Sequence, residues 1–215
     1  MSSSKKGPKQ AAITVASLVI LALLYYFNGS LVSTDSPASP PKGSTQSSGH
    51  GDKIQDSRMN DGDSFWIDHA DGSSTQYRLY YADAPESAMK SYRDGDTNHH
   101  RVRQQAQYFG ISDKQAVQTG KDAKKYVQQL LETHAFEVHS TGERVYNGAR
   151  RYAFVEVEFE SGPRWLHELL IERGLARIHT KPAKLPDGTS TQQQKKRLKE
   201  LERKARSEGK GAWKY

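Results

Sequence analysis

Asp83-Ala84-Pro85-Glu86, with Arg78 five residues before Asp83 and Asp61-Gly62-Asp63-Ser64 further upstream, sets acids and a guanidinium around one predicted strand and its exits. Those residue types suit the cutting of a phosphodiester. Carboxylates are hard oxygen donors of the kind Ca²⁺ takes, and two from separate loops, with a backbone carbonyl and water, make an open site. Asp63 and Asp83 are the candidate ligands. Pro85 disfavours the α region for Ala84, so the Ala84 carbonyl is aimed in a fixed direction rather than absorbed into a helix. Glu86 lies within reach of the same centre, where a carboxylate takes a proton from attacking water while a metal polarises a phosphoryl oxygen. Arg78 supplies a planar fork that pairs two phosphate oxygens and stays charged at any working pH.

Taken singly, none of these features carries the chemistry. Asp-Gly is an ordinary turn signal, Asp-x-Pro-Glu is a common way to leave a strand, and a lone arginine on a strand is most often solvated. The ordered combination is what points to a site. Side chains alternate along a strand, so Arg78 and Asp83, at odd spacing, point to opposite faces of a regular one. Both face one site only if the chain is irregular between Tyr81 and Pro85, and bulges beside active sites re-aim side chains in this way.

The elements that must hold these residues are legible in outline. Asp63 to Asp68 alternates Phe65 and Ile67 with polar neighbours, residues 70–73 read as a turn, and Thr75 to Ala82 reads as a second strand. This hairpin carries the acids at its two outer ends. Arg101 to Phe109 reads as a short helix after a loop containing Asp94, Asp96, His99 and His100, a mixed set more often solvated than metal-bound. Lys121 to Thr133 places Ala123, Tyr126, Val127, Leu130 and Leu131 on one helical stripe. Ala135 to Ser140 and Arg151 to Glu158 read as strands. Pro163 opens and Gly174 ends a further helix, with His167 on its polar side as a surface histidine. Thr191 to Ser207 is a last helix with Leu198, Leu201 and Ala205 inward, and Trp213 docks the terminal segment.

The motifs, in their order, resemble the staphylococcal nuclease-like (thermonuclease) family. Its signature is matched by Asp61-Gly62-Asp63-Ser64, by Arg78-Leu79-Tyr80-Tyr81-Ala82-Asp83-Ala84-Pro85-Glu86, and by Tyr146-Asn147-Gly148-Ala149-Arg150-Arg151. Gly120-Lys121-Asp122-Ala123, Arg173-Gly174-Leu175-Ala176 and Gly211-Ala212-Trp213 extend the likeness over about residues 53 to 215. The resemblance implies an α+β fold, an OB-like five-stranded barrel with three helices. It implies Ca²⁺ ligation by Asp63, Asp83 and the Ala84 carbonyl, Glu86 as general base, and Arg78 and Arg150 on the scissile phosphate. The turn before Arg150 is one residue longer than usual, so Arg151 competes with it for that role. Tyrosines that line the family's nucleotide pocket have no counterpart in Arg177 to Pro182.

Composition divides the 215-residue chain near residue 50. Residues 1–10 are basic through Lys5, Lys6 and Lys9, and Ala11 to Phe27 is an apolar run that reads as a transmembrane signal-anchor, with a removed signal peptide as the alternative. Basic residues before the run place the domain outside the cytoplasm, membrane-tethered or secreted. Residues 28–52, rich in Ser, Gly and Pro, read as a flexible linker, and residues 53–215 as the nuclease-like domain. The absence of cysteine excludes disulfides and thiolate metal sites. Of the net charge of +7, residues 191–215 hold nine Lys and Arg against three Glu. That run suits a polyanion but is more often a solvated face. The expected partners are DNA and/or RNA as substrate and a membrane through the N-terminal segment, with no obligate protein partner and a monomeric state. The rival class is a non-catalytic OB-fold module binding nucleic acid or peptide.

Overall fold

Alternation puts Phe65 and Ile67 on one face of a strand, and both are fully buried there. The computed structural model describes residues 51–215, together with the backbone of Gln46 and Ser47. The strands are β1 (Gln46–Ser47), β2 (Lys53–Ile54), β3 (Ser64–Asp68), β4 (Ser74–Leu79), β5 (Ala82–Asp83), β6 (Phe136–Ser140), β7 (Arg151–Val157), β8 (Arg164–Trp165) and β9 (Arg177–Ile178). The helices are α1 (His99–Phe109), α2 (Asp113–Thr133), α3 (Leu166–Glu172) and α4 (Thr191–Ser207), followed by a 3₁₀ turn at Gly211–Lys214.

The main sheet is mixed, in the order β1-β6-β7-β4-β3-β2, with β8 added to β7. β3 and β4 form the expected hairpin, Ser64 opposite Arg78 and Asp68 opposite Ser74. β4 and β7 run parallel, and β5 pairs with β9 in a separate two-stranded sheet. The domain is therefore α+β. Among the described residues the ladder runs as a path from β1 to β2, and no pairing joins its two ends to close the expected five-stranded barrel. The apolar run Ala11 to Phe27 lies outside the described residues, and among those described no helix is long and apolar enough to cross a membrane.

The four helices are those read along the sequence, one more than the family resemblance implies. The second starts at Asp113 instead of Lys121 because Ser112 and Gln115 form a reciprocal capping box, which stabilises the start of a polar first turn. Gly110, in the left-handed conformation at φ 72°, ends α1 and sets the reversal into α2. Val102, Ala106 and Ala116 pack these two helices together, while Ala123, Val127, Leu130 and Leu131 bury the other half of α2 against the sheet. Ser190 and Gln193 cap α4 in the same manner, and α4 buries Leu198 and Ala205 completely. Trp213 sits under the Arg206 guanidinium, 4.1 Å from its ring centre, and Ala212 N donates to the Gly174 carbonyl, so the terminus docks as expected.

A further expectation is overturned. His167 is fully buried, not on the surface, because α3 turns Leu166, His167, Glu168, Leu169, Leu170 and Ile171 all inward between the sheet and α4. A seven-residue helix covered on both sides has no polar face to offer.

Candidate active site

Two close approaches bring the acid-bearing loops together over α2. A Cβ on Gly120 would lie 2.4 Å from the Pro85 carbonyl oxygen and 2.5 Å from that of Glu86, so only glycine lets α2 touch the Asp83–Glu86 segment. A Cβ on Gly62 would meet Ala123 Cβ at 2.6 Å and Ala84 Cβ at 2.9 Å. The loops are also tied directly, Ser87 Oγ donating to Asp61 Oδ1 at 2.6 Å.

The irregularity expected between Arg78 and Asp83 is present. β4 stops at Leu79, Tyr81 takes φ +65°, and β5 begins at Ala82. A left-handed tyrosine costs on the order of 1–3 kcal/mol and persists only where its surroundings fix it. Here Tyr81 N donates to the Lys181 carbonyl, its carbonyl accepts from His179 N and Thr180 N, and its hydroxyl donates to the Ala183 carbonyl. The kink turns Arg78 and Asp83 toward each other.

Asp83 is the hub. Its Oδ1 accepts from Arg78 Nη2 and Arg101 Nη2, both at 2.7 Å, and its Oδ2 from Arg177 Nε at 2.7 Å and Gln105 Nε2 at 3.1 Å. Burial works to raise the Asp83 carboxyl, but Arg101, Arg177 and Arg78 outweigh it and hold the group below the usual carboxylate range. Asp63 is different. Its Oδ2 lies 3.0 Å from Arg78 Nη2 yet accepts no hydrogen bond, and burial pushes the carboxyl up to about 6, with Arg78 pulling back and Asp83 adding to the rise.

Glu86 is half-buried and held at both oxygens, Oε1 by Arg101 Nε at 3.1 Å and Oε2 by Asn98 Nδ2 at 3.1 Å. The Ala84 carbonyl accepts from Gln105 Nε2 at 3.0 Å and keeps its second lone pair. Arg150 reaches back across the turn to donate to Ser64 Oγ at 3.3 Å. Arg151 instead starts β7 opposite Tyr77. A cleft of about 600 Å³ opens beside these groups, lined by Arg78, Asp83, Arg101, Arg150, Arg177 and Lys181 among others, and Arg151 is not part of its lining. Tyr146, at φ +52° and 85 % exposed, stands at the same cleft. The structure thus brings together Asp63, Arg78, Asp83, Ala84 and Glu86, with Arg150 on the adjoining wall.

Sequence reading missed Arg101, Gln105, Asn98 and Arg177. Arg101 and Gln105 stand one helical turn apart beside the buried Val102 and Ala106, a spacing that puts both on one face. Arg177 pairs directly across from Asp83, a register no local pattern discloses. Asp94 and Asp96, by contrast, remain exposed. Away from this site, Glu137, His139 and Glu156 also gather three metal-capable side chains, with His139 3.8 Å from Glu137 and 3.5 Å from Glu156 on paired strands.

The donor set fits a hard divalent cation. Two carboxylates and a carbonyl are the oxygen ligands such an ion takes, and the buried, unbonded Asp63 Oδ2 is an acceptor without a donor. Convergent guanidiniums beside them suit a phosphate. A model of the family described as staphylococcal nuclease homologue matches residues 76–215, from the middle of β4 to the last residue, so the Asp63 loop lies just before it. No curated protein matches the chain closely enough to count as a relative. Because the family match spans well over half of the chain, the protein belongs to the staphylococcal nuclease homologue family.

Proposed function

We propose that this chain is a Ca²⁺-dependent phosphodiesterase that hydrolyses DNA or RNA with low sequence specificity. The observation that carries the reading is the pairing of Asp63 Oδ2, buried without a hydrogen bond, with a cleft lined by guanidiniums. Asp63, Asp83 and the second lone pair of the Ala84 carbonyl would hold the ion. When bound, it supplies Lewis-acid stabilisation of the phosphoryl oxygens.

The remaining steps belong to side chains. Glu86 takes the proton of the attacking water, and Asn98 keeps its carboxylate oriented while it does so. Arg78 and Arg150 pair the non-bridging phosphate oxygens and oppose the charge that builds as the bond to the leaving oxygen breaks. Arg177 acts one step back, fixing Asp83. Low sequence preference is the reading because the cleft's arginines and Lys181 are assigned to backbone phosphates, and phosphate contacts carry no sequence information.

The test is cleavage of single- and double-stranded DNA and of RNA with Ca²⁺ and with chelator, for the wild type, Glu86→Gln and Arg78→Ala. Calcium-dependent cleavage lost in both variants supports the reading. Retarded nucleic acid with no cleavage in any of these conditions would favour the non-catalytic module. The apolar run at residues 11–27 leads us to place the enzyme outside the cytoplasm on a membrane tether, or secreted. Fractionation of cells expressing the chain, with protease applied from outside, decides between these and a cytoplasmic location.

A further inference from the structure

Three carboxylates, Asp63, Asp83 and Glu86, meet three guanidiniums, Arg78, Arg101 and Arg177, at the head of the cleft, so their formal charges cancel. Arg101 differs from the other two in what it touches. Its Nη2 lies 2.7 Å from Asp83 Oδ1 and 4.0 Å from Asp63 Oδ2, and its Nε lies 3.1 Å from Glu86 Oε1. Arg78 reaches Asp63 and Asp83 from inside β4, and Arg177 reaches Asp83 alone. Arg101 also differs in freedom. Its side chain is 37 % exposed, against 9 % for Arg78 and 7 % for Arg177, and it stands in the first turn of α1.

We propose that Arg101 is a resident cation seated between Asp63, Asp83 and Glu86, that it competes there with the divalent ion, and that metal loading requires its withdrawal. The inference rests on the calcium reading above. A divalent ion entering a cluster already balanced meets like charge a few ångströms away, which is strongly unfavourable where water is excluded. Withdrawal of Arg101 removes one unit of that charge, and the phosphate of the substrate offsets the next. Asp83 survives the change, since Arg78 still serves Oδ1 and Arg177 and Gln105 still serve Oδ2. The same movement frees Glu86 Oε1, while Asn98 keeps Oε2, so loading the ion also unmasks the proton acceptor.

Isothermal titration of CaCl₂ into the full 215-residue chain, without nucleic acid, tests this on the wild type, Arg101→Ala and Arg101→Lys. Arg101→Ala should bind Ca²⁺ about tenfold or more tightly than the wild type. Arg101→Lys keeps the charge without the two-pronged reach and should change less. Equal or weaker binding by Arg101→Ala, with wild-type binding intact, overturns the inference alone and leaves Arg101 as an architectural clasp. If no form binds Ca²⁺, the calcium reading itself fails and takes the inference with it. A thermal melt without Ca²⁺ checks folding. Should Arg101→Ala not fold, Arg101→Gln carries the same expectation and the same overturning result.

Discussion

Asp83 and Glu168 are both buried acids paired with arginine and glutamine, but their surroundings differ in kind. Glu168 Oε1 accepts from Gln194 Nε2 at 2.8 Å and from one arginine, Arg197, at 2.7 Å. His167 beside it meets Gln194 at 2.8 Å and is walled by Tyr81, Phe154 and Trp165. One acid and one guanidinium suffice there to fix α3 on α4. Asp83 draws three guanidiniums and stands beside an acid with an unbonded oxygen, on a cleft. Folding alone does not require that excess of charge, and strongly perturbed groups at a cleft mark a functional site. Tyr81 joins the two clusters, its kinked backbone aiming Asp83 and its ring stacking 5.5 Å from His167.

The comparison breaks most readily at the paired glutamates. Glu86→Gln should lower cleavage by about 10²–10⁴-fold, the range of a lost general base, and leave the melting temperature unchanged. Glu168→Gln should do the reverse, costing about 1–3 kcal/mol in urea unfolding through its weakened charged hydrogen bonds while the rate per folded molecule stays at wild type. If both variants lose the same property, the distinction between the clusters is gone.

Arg150→Ala should reduce kcat by about 10²–10³-fold, as for a lost donor to the transition state, whereas Arg151→Ala stays near the wild-type rate. Steady-state kinetics on one DNA substrate separates them, and a reversed pattern would move the second phosphate contact to β7.

His167 gives the closed cluster its own signature. Burial depresses its pKa to about 4, so the unfolded chain takes up a proton near pH 6.5 that the folded chain refuses until about pH 4. The stability this group contributes is intact above pH 6.5 and is lost as pH falls through 4, about 3 kcal/mol in all. His167→Phe should remove that component from the pH dependence of urea unfolding. An unchanged slope would show that the ring is not the proton acceptor.

Gly120→Ala should cost about 1–3 kcal/mol, the usual penalty for overpacking, and should also slow cleavage because the added methyl presses on the backbone of Pro85 and Glu86. An unfolding midpoint and rate both equal to wild type would mean that α2 does not set the position of the loop.

Much of the site was legible locally. The Asp61–Ser64 loop, the Arg78 strand and the Asp83–Glu86 exit each carry turn, alternation or proline signals, and the odd spacing of Arg78 and Asp83 required the break found at Tyr81. Arg101 and Gln105 were hidden because their partners lie about twenty residues away on another element. His167 was misread because a helix of seven residues is too short for its periodicity to reveal that both sides are covered. The start of α2 was misplaced because its first turns are polar, and the signal lay in the Ser112–Gln115 cap rather than in an apolar stripe.

Sequence by itself determined the residue types at the centre, their order, the family likeness they carry, and the kink needed to align them. These are properties of short segments, set by proline, glycine and the alternation of side chains. Tertiary structure alone decided that Asp83 faces Arg177 across a strand pair, that Arg101 reaches all three acids, and that Asp63 is left with an unbonded oxygen. Those outcomes depend on register and on desolvation by distant elements, which no stretch of the chain holds by itself.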